Sequence, residues 1–233
     1  MEKNEIVFVC ISDTHTHTKN LKLPEGDVLI HAGDFTYTGT PKEVSDFNDF
    51  LGKQNFKYKI VISGNHELTF DLDNYEYLAK LKKQHYKHYN ASEIKKSLTN
   101  CIYLEDSACE VFGYKIYGSP WQITYDNWAF YAEPKVNAIS KWRKIPDDTD
   151  ILITHNPPSG IMDLCEDESR EGCPLMLKEI KERIKPKVHV FGHVHEAYGI
   201  VQSNDILFIN ASTCDENYEP VNPPIVFKLP MKV

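Results

Sequence analysis

Residue types that can hold metal ions follow several short apolar stretches of this chain. The stretches that begin at Ile6, Val28, Lys59, Ile151 and Val188 each lead directly into a segment rich in Asp, Asn or His. These segments read Asp13-Thr14-His15, Gly33-Asp34, Gly64-Asn65-His66-Glu67, His155 and Gly192-His193-Val194-His195. Any one of them would be ordinary in a turn, because Asp and Asn are favoured there. Five in succession, with at least four histidines and three oxygen donors among them, are difficult to explain by turns alone.

The chemistry of these donors narrows the choice of metal. Carboxylate oxygen, amide oxygen and imidazole nitrogen, without thiolate, suit divalent ions such as Mn, Fe or Zn. Seven donors exceed the four ligands of a tetrahedral zinc site, and a carboxylate can bridge two ions. Two closely spaced cations can clamp an oxyanion and activate water. The residues therefore predict a centre of two divalent ions, with Mn expected and Fe, Zn or Mg as alternatives.

The apolar stretches are predicted to be strands of an α/β fold. Several are continuously apolar, which is typical of strands buried on both faces, and they alternate with helical patterns. Nine strands are predicted: Ile6–Ile11, Val28–Ala32, Lys59–Ser63, Cys101–Leu104, Tyr114–Gly118, Ile151–Thr154, Val188–Phe191, Ile206–Ile209 and Ile225–Leu229. Ligands of open α/β sheets gather at the carboxyl ends of the strands. The five polar segments are therefore expected to converge on one site.

Helices and long loops complete the predicted organisation. One helix is expected to begin after Thr40, which caps it, with a proline in the first turn. A second helix is expected to begin near Pro174, and a third to cover Pro134–Arg143. Residues 119–133 and the acidic residues 163–173 show no period and are expected to be long loops.

Composition sets limits on the class of protein. The chain has 233 residues, of which 41% are hydrophobic and 26% charged, as in soluble globular proteins, and we expect one domain over residues 1–233. The net charge of −8 disfavours duplex nucleic acid as the main partner. The apolar run Ile6–Ile11 is shorter than a signal-peptide core or a membrane span, which predicts a cytoplasmic protein with no membrane partner. The six cysteines form no CxxC pair and are expected to be free thiols, and oligomeric state is left open.

The order of the polar segments resembles the calcineurin-like metallophosphoesterase superfamily. Its motifs run Asp-x-His, Gly-Asp, Gly-Asn-His-Asp/Glu, His and Gly-His-x-His, and none is missing here. The chain is most similar to the brain metallophosphoesterase-domain subfamily, described as class III phosphodiesterase-like. The stretches that carry this similarity are 31–36, 64–71, 117–121, 210–214 and 221–224. The resemblance implies a four-layer α-β-β-α sandwich with mixed sheets.

The resemblance also implies residue roles and a reaction. It assigns the metal ligands as Asp13, His15 and His195 for the first ion, Asn65, His155 and His193 for the second, and Asp34 as the bridge. His66 is implied to face the leaving group as the catalytic residue, and Glu67 is expected to orient its neighbours. The implied activity is phosphoester hydrolysis by a metal-bridging hydroxide, with a phosphodiesterase favoured. The substrate is expected to be a small phosphoester, with a nucleotide among the candidates.

Two alternatives remain open. The Ser/Thr protein phosphatases of this superfamily carry motif arginines where this chain has Thr38 and Ser63. Arginine binds a dianionic phosphate in a bidentate manner, so its absence favours diesters over phosphoprotein monoesters. Arg170, in the acidic loop, is expected to lie on the surface. The second alternative, a non-catalytic metal-bound scaffold, is disfavoured because no predicted ligand is missing.

The loop over residues 119–133 is rich in aromatic side chains. The loop residues Trp121, Tyr125, Trp128, Phe130 and Tyr131 are expected to pack in the core, with stacking on a nucleobase as the alternative.

Four polar residues outside the motifs also carry expectations. Asn156 stands where the similar subfamily usually has Gly, and because Asn tolerates positive φ the turn is expected to persist. The sequon at Asn210 is interpreted as a chance match, and His85 and His88 are expected to be solvated.

Overall fold

The protein is built on two mixed β-sheets that pack face to face. The computed structural model describes residues 4–82 and 89–232, and His85 and His88 lie outside these ranges. In chain order, the strands of the described residues are β1 (Glu5–Ile11), β2 (Val28–His31), β3 (Tyr58–Val61), β4 (Ile102–Tyr103), β5 (Ser107–Val111), β6 (Tyr114–Ser119), β7 (Ile151–Thr154), β8 (Val188–Phe191), β9 (Gly199–Ser203), β10 (Ile206–Asn210) and β11 (Ile225–Pro230).

Parallel strands occupy the middle of each sheet and antiparallel strands close its edges. The first sheet has the order β11-β1-β2-β3-β4, in which only β11 is antiparallel to its neighbour. The second has the order β5-β6-β7-β8-β10-β9, in which β5 and β9 pair antiparallel. The carboxyl ends of the parallel strands in each sheet therefore lie along a common edge.

All nine predicted strands are present, with ends within two residues of the prediction. The strands β5 and β9 were not predicted. Both are edge strands whose residues are mostly exposed or half-buried, so they lack the apolar run that marks a buried strand.

Five α-helices flank the sheets within the described residues: α1 (Pro41–Lys53), α2 (Tyr75–Leu81), α3 (Ala91–Ser97), α4 (Ala138–Trp142) and α5 (Pro174–Glu179). The predicted cap of α1 is confirmed: Thr40 Oγ1 accepts a hydrogen bond from Glu43 N, and the Glu43 side chain accepts one from Thr40 N. Helix α5 begins at Pro174 as expected and continues as a π-helical turn over Ile180–Ile184.

One helix prediction was too long. The third helix was expected over Pro134–Arg143, whereas α4 covers Ala138–Trp142 only. The reason lies in the preceding turn, where the carbonyl of Glu133 accepts hydrogen bonds from three successive amides, at residues 136, 137 and 138.

Three apolar clusters define the layers. One cluster lies between the two sheets and contains Phe8, Ile30, Ile116 and Val190. A second joins the outer face of the first sheet to α1, α2 and α3, and a third joins the outer face of the second sheet to α4 and α5. The arrangement is the four-layer α-β-β-α sandwich that the sequence resemblance implied.

Two further features concern the cysteines and the helices of the described residues. All six cysteines are free thiols, three of them buried. Across residues 4–82 and 89–232, we find no helix with the length and apolar character that crossing a membrane requires.

Candidate metal centre

The loops that follow five parallel strands bring all seven predicted ligands and His66 together. These loops follow β1, β2, β3, β7 and β8. Four of the predicted ligands have left-handed backbone: φ is 49° at Asp13, 39° at His15, 56° at Asp34 and 72° at His193. Asp and His are enriched in this region among residues other than glycine, and such strain clusters at functional sites.

The ligands predicted for the second ion point their donor atoms at one another. His155 Nε2 lies 2.9 Å from Asn65 Oδ1, 3.1 Å from His193 Nδ1 and 3.2 Å from Asp34 Oδ2. His193 thus presents Nδ1 to the centre, whereas His155 presents Nε2. All four side chains are buried or nearly so.

The ligands predicted for the first ion form an adjoining cluster. His195 Nε2 lies 3.2 Å from His15 Nε2 and 3.4 Å from Asp13 Oδ1. His15 Nε2 is 4.0 Å from Asp34 Oδ2, the same oxygen that faces the second cluster. Asp34 therefore lies between the two groups, where a bridging carboxylate would be needed.

These distances fit ligands that share a divalent ion. Two ligands at right angles on bonds of about 2.1 Å lie about 3.0 Å apart, close to the separations found in both clusters. The donor set of imidazoles, carboxylates and one amide oxygen also suits such ions. The residues present are thus able to hold two ions, and the ligand roles of the individual residues remain predictions.

Hydrogen bonds on the far side of the imidazoles hold each ring in place. His155 Nδ1 lies 3.0 Å from the carbonyl oxygen of Ala32, and His195 Nδ1 lies 2.8 Å from that of Asp215. Each Nδ1–H can donate to its carbonyl, which leaves Nε2 to face the centre.

A carboxylate from the acidic loop lies against the far side of the His193 ring. Glu171 Oε2 lies 3.1 Å from His193 Nε2, and Glu171 Oε1 accepts a 2.6 Å hydrogen bond from the Tyr125 hydroxyl. An outer carboxylate of this kind fixes the tautomer of a histidine ligand and raises its basicity. The sequence analysis missed Glu171 because nothing in the acidic loop marks one carboxylate out of several.

Asp13 is oriented from the end of β10, which the sequence analysis also missed. Ser212 Oγ donates a 3.0 Å hydrogen bond to Asp13 Oδ2, and Ser212 N donates one of 3.1 Å to Asn210 Oδ1. Asn210 is fully buried and donates to the carbonyl of Val194. The chance-match interpretation of the Asn210 sequon is therefore supported, since a buried and bonded amide cannot accept a glycan.

Glu67 orients its neighbours, as expected, rather than facing the centre. Its carboxylate accepts hydrogen bonds from the amides of Asp34, Thr36 and Gly64 and from the Thr36 hydroxyl, at 2.7–2.9 Å. Burial and the nearby Asp34 carboxylate raise the pKa of Glu67, and the hydrogen bonds from Gly64 and Thr36 oppose that rise. Gly64 is required at its position because a Cβ there would collide with Asp34 Oδ1 and the His155 ring.

Charges inside the centre shift the pKa values of the histidines in opposite directions. Burial lowers the pKa of His155 and of His195, but Asp34 and Asp13 respectively outweigh it and raise each to about 9. Burial dominates at His15 and lowers its pKa to about 3. Burial raises the pKa of Asp34, yet the charges of His155 and His66 bring it well below its ordinary value.

His66 faces the same centre from the first sheet. Its Nδ1 lies 2.9 Å from the Tyr37 carbonyl oxygen, and its Nε2 lies 3.9 Å from Asp34 Oδ2. The ring packs on Trp128 with centroids 4.2 Å apart. Nδ1 is thus held by the backbone, and Nε2 is directed into a cavity of about 330 Å³ that opens over both clusters.

The aromatic loop divides between the core and this cavity. Phe130 is buried, and Trp121 packs in the core and donates its Nε1–H to Asp106. Tyr125 and Trp128 instead line the cavity. The expectation of core packing therefore holds for only part of the loop.

Asn156 connects the two long loops, which corrects the expectation for this residue. It does not adopt positive φ, because the following Pro157 favours extended backbone at the preceding residue. Its Oδ1 accepts from Ile123 N at 3.1 Å, and its Nδ2 donates to the carbonyl of Glu171 at 2.9 Å. Asn156 thereby ties the aromatic loop to the segment that carries Glu171.

Known proteins and one family model match this chain over most of its length. The family model described as calcineurin-like phosphoesterase matches residues 6–197. Metallophosphoesterase domain-containing protein 1 of Homo sapiens is 48% identical, over 96% of this chain and 71% of that protein. A 3′,5′-cyclic-nucleotide phosphodiesterase of Nostoc sp. is 22% identical, over 82% of this chain and 64% of that protein. A solved crystal structure shares the fold with a TM-score of 0.63 and 14% identity, covering 98% of this chain and 100% of that one.

Proposed function

Because this chain belongs to the calcineurin-like phosphoesterase family, we propose that it is a two-metal hydrolase of small phosphodiesters. The ions are proposed to be divalent, with Mn favoured, and to be held by the seven clustered residues described above. When bound, such ions act as Lewis acids and lower the pKa of water enough to supply hydroxide near neutral pH.

The protein's own residues place the substrate and handle the proton. Asp34 stands between the clusters, and its Oδ1 accepts a 2.9 Å hydrogen bond from His66 N. Because the Tyr37 carbonyl fixes Nδ1–H, His66 can hold a second proton only at Nε2. That atom is positioned to give the proton to the departing alkoxide oxygen as the ester bond breaks. The same ring can later take up a proton from solvent through the cavity.

The charge of the cavity favours a diester substrate. Of the described residues that line it, none is Lys or Arg, whereas Glu196 and Glu216 contribute two exposed carboxylates. A monoester dianion carries one more negative charge than a diester and would have no guanidinium to bind it. The acidic wall is therefore more compatible with a monoanionic diester.

Ser63 and Arg170, two places from which an arginine could reach the centre, do not supply one. Ser63 is buried and its Oγ lies 2.9 Å from the Tyr103 hydroxyl. Arg170, expected on the surface, is half-exposed and pairs with Asp163. The name of the Nostoc relative, a phosphodiesterase, further supports this assignment.

The test compares esters with the same leaving group on protein supplied with Mn, Mg, Zn or no metal. We expect a higher kcat/KM for ethyl 4-nitrophenyl phosphate than for 4-nitrophenyl phosphate, and little activity on phosphoserine peptides. Efficient phosphopeptide hydrolysis would favour the monoesterase alternative. Metal binding without turnover of any ester would favour the non-catalytic scaffold.

A matched pair of variants sharpens the comparison. Thr38→Arg restores one of the motif arginines at a half-buried position, and we expect it to shift the ratio toward the monoester by roughly tenfold. Gln202→Arg adds the same charge on the exposed edge strand β9 and should leave the ratio unchanged. Arginine at Ser63 is less informative because that side chain has no room.

A further inference from the structure

A second cleft opens beside the metal centre on the side of His66. Its volume is about 660 Å³, and the rings of Tyr37, Trp128 and Tyr218 form its walls. Glu43 also borders it, but that carboxylate is occupied by the amides of Tyr37 and Thr40. Thr38, Thr40 and Lys82 also line it, so the cleft has aromatic walls and one lysine among its lining residues. We refer to it as the aromatic cleft.

The aromatic cleft is continuous with the cavity over the metal centre. His66, Trp128 and Tyr218 line both. His66 stands at the boundary, with Nε2 directed toward Asp34 and its ring packed on Trp128. A group that protonates the departing oxygen must lie beside that oxygen, so the alcohol that leaves is on the His66 side.

The aromatic walls contact neighbouring side chains, although two of them face solvent. The Trp128 ring lies against His66, with centroids 4.2 Å apart, and the Lys82 ammonium is 3.3 Å from the Trp128 ring centroid. Tyr37 and Tyr218 are 37% and 39% exposed, and their centroids are 6.1 Å apart.

The strained backbone of Tyr218 is a further indication of a ligand site beside its ring. Its φ is 62°, which is unusual for a bulky residue, and its ring covers His15 at 4.7 Å and His195 at 5.3 Å. The turn is fixed by Asp215, whose carbonyl accepts from Tyr218 N at 3.0 Å. Strained backbone of this kind persists where the surroundings impose it, often at ligand sites.

We propose that the aromatic cleft is the subsite for the departing ester group and that it binds a planar aromatic group. The inference rests on the proposed function and deepens it, since it states which of the two ester groups of an asymmetric diester is released. The retained group would then lie in the cavity bordered by Glu196 and Glu216, where a neutral or cationic group is compatible.

The test uses one diester that carries both kinds of leaving group. Its phosphate bears a phenyl group and a fluorinated secondary alkyl group, chosen so that the two alcohols have matched acidity. The ratio of phenol to fluoroalcohol released is measured by NMR. Because both products come from one bound molecule, this ratio does not depend on metal loading or on the fraction of active protein. We expect phenol to exceed its share in hydroxide-catalysed hydrolysis by about tenfold, the typical effect of burying and stacking one ring.

Variants at Tyr37 locate the effect in the aromatic cleft. Tyr37→Ala removes one wall but keeps the carbonyl that binds His66, and it should lower the product ratio by about threefold or more. Tyr37→Phe keeps the ring and should retain the ratio, as should Tyr77→Ala, which removes an exposed ring on α2.

Three outcomes would count against the proposal. A ratio equal to that of the uncatalysed reaction, or one unchanged in Tyr37→Ala, would overturn the subsite and leave the diesterase function standing. Preferential release of the fluoroalcohol would place the aromatic group on the opposite side. If the metal-supplied protein hydrolyses neither ester bond of this or any other diester, the proposed function and the subsite both fail.

Discussion

Metal binding to the centre is expected to release about two protons per chain from its histidines at pH 7, besides any proton lost by metal-bound water. The pKa of His155 and that of His195 are both raised to about 9 by Asp34 and Asp13, against the opposing effect of burial. The geometry agrees, because both nitrogens of His155 face oxygen acceptors: the carbonyl of Ala32 at 3.0 Å and Asn65 Oδ1 at 2.9 Å. In protein stripped of metal by a chelator, we therefore expect both rings to be protonated at pH 7.

The size of the effect follows from the distance between pH and pKa. With a pKa of about 9, only about one ring in a hundred is neutral at pH 7, and a metal ion binds only the neutral imidazole. Proton competition then weakens each site by about a hundredfold at pH 7, or about 3 kcal/mol. Affinity should rise with pH up to about 9 and level off above it.

The stability of the stripped protein depends on pH in the opposite direction from its metal affinity. A raised histidine pKa means that the imidazolium–carboxylate pairs stabilise the stripped protein fully below the ordinary histidine pKa of about 6.5. This contribution is lost as pH rises through about 9, which thermal unfolding of the stripped protein across that range would show.

Calorimetry measures the proton count directly. Mn is titrated into stripped protein at pH 7 in buffers that differ in ionisation enthalpy, and the dependence of the observed heat on that enthalpy gives the protons released. His155→Ala should lower the count by about one, whereas His17→Ala, at a histidine outside the two clusters, should not change it. Release of less than about half a proton by the unaltered protein would refute the reasoning.

Four further predictions concern single residues. Glu171→Gln should weaken the binding of one of the two ions by about 10–100-fold in a calorimetric titration. Tyr125→Phe, which removes only the hydroxyl bound to Glu171, should have a smaller effect. Equal affinities in the two variants and the unaltered protein would contradict the orienting role. Ser212→Ala should weaken the binding of the other ion roughly tenfold. If it weakened the same ion as Glu171→Gln does, that result would be inconsistent with the geometry. Gly64→Ala should abolish metal binding measured by elemental analysis while circular dichroism stays native, and retention of both ions would show that the added methyl group is accommodated. His66→Ala should keep both ions but lose kcat, and the loss should be smaller with 4-nitrophenolate than with a poorer leaving group; equal losses would assign the ring to positioning.

The sequence predicted those parts of the fold that leave a local signal. The central parallel strands are continuous apolar runs because both faces are buried, and α1 carries its cap in Thr40 and Glu43. The edge strands β5 and β9 and the seven-residue helices α2 and α3 were missed, because short or exposed elements leave little apolar pattern. The π-helical turn after α5 also has no counterpart in the periodicity.

In the candidate site, too, some residues have a local sequence signal and others have none. The seven predicted ligands could be found because each directly follows a recognisable strand. Ser212 could not be assigned its task, since it acts on Asp13 across 199 positions of the chain. Glu171 and Asn156 likewise act through contacts between loops, which only tertiary structure determines.

We expect that two ions at this centre together support diester hydrolysis. Turnover and metal content measured on the same samples test this dependence. Stripped protein is supplied with increasing Mn, and each sample is assayed with ethyl 4-nitrophenyl phosphate and analysed for ions bound per chain. We predict little turnover up to one ion per chain and a rise to the maximum as the second is bound. Full activity at one ion per chain, or two bound ions without diester hydrolysis, would contradict the account.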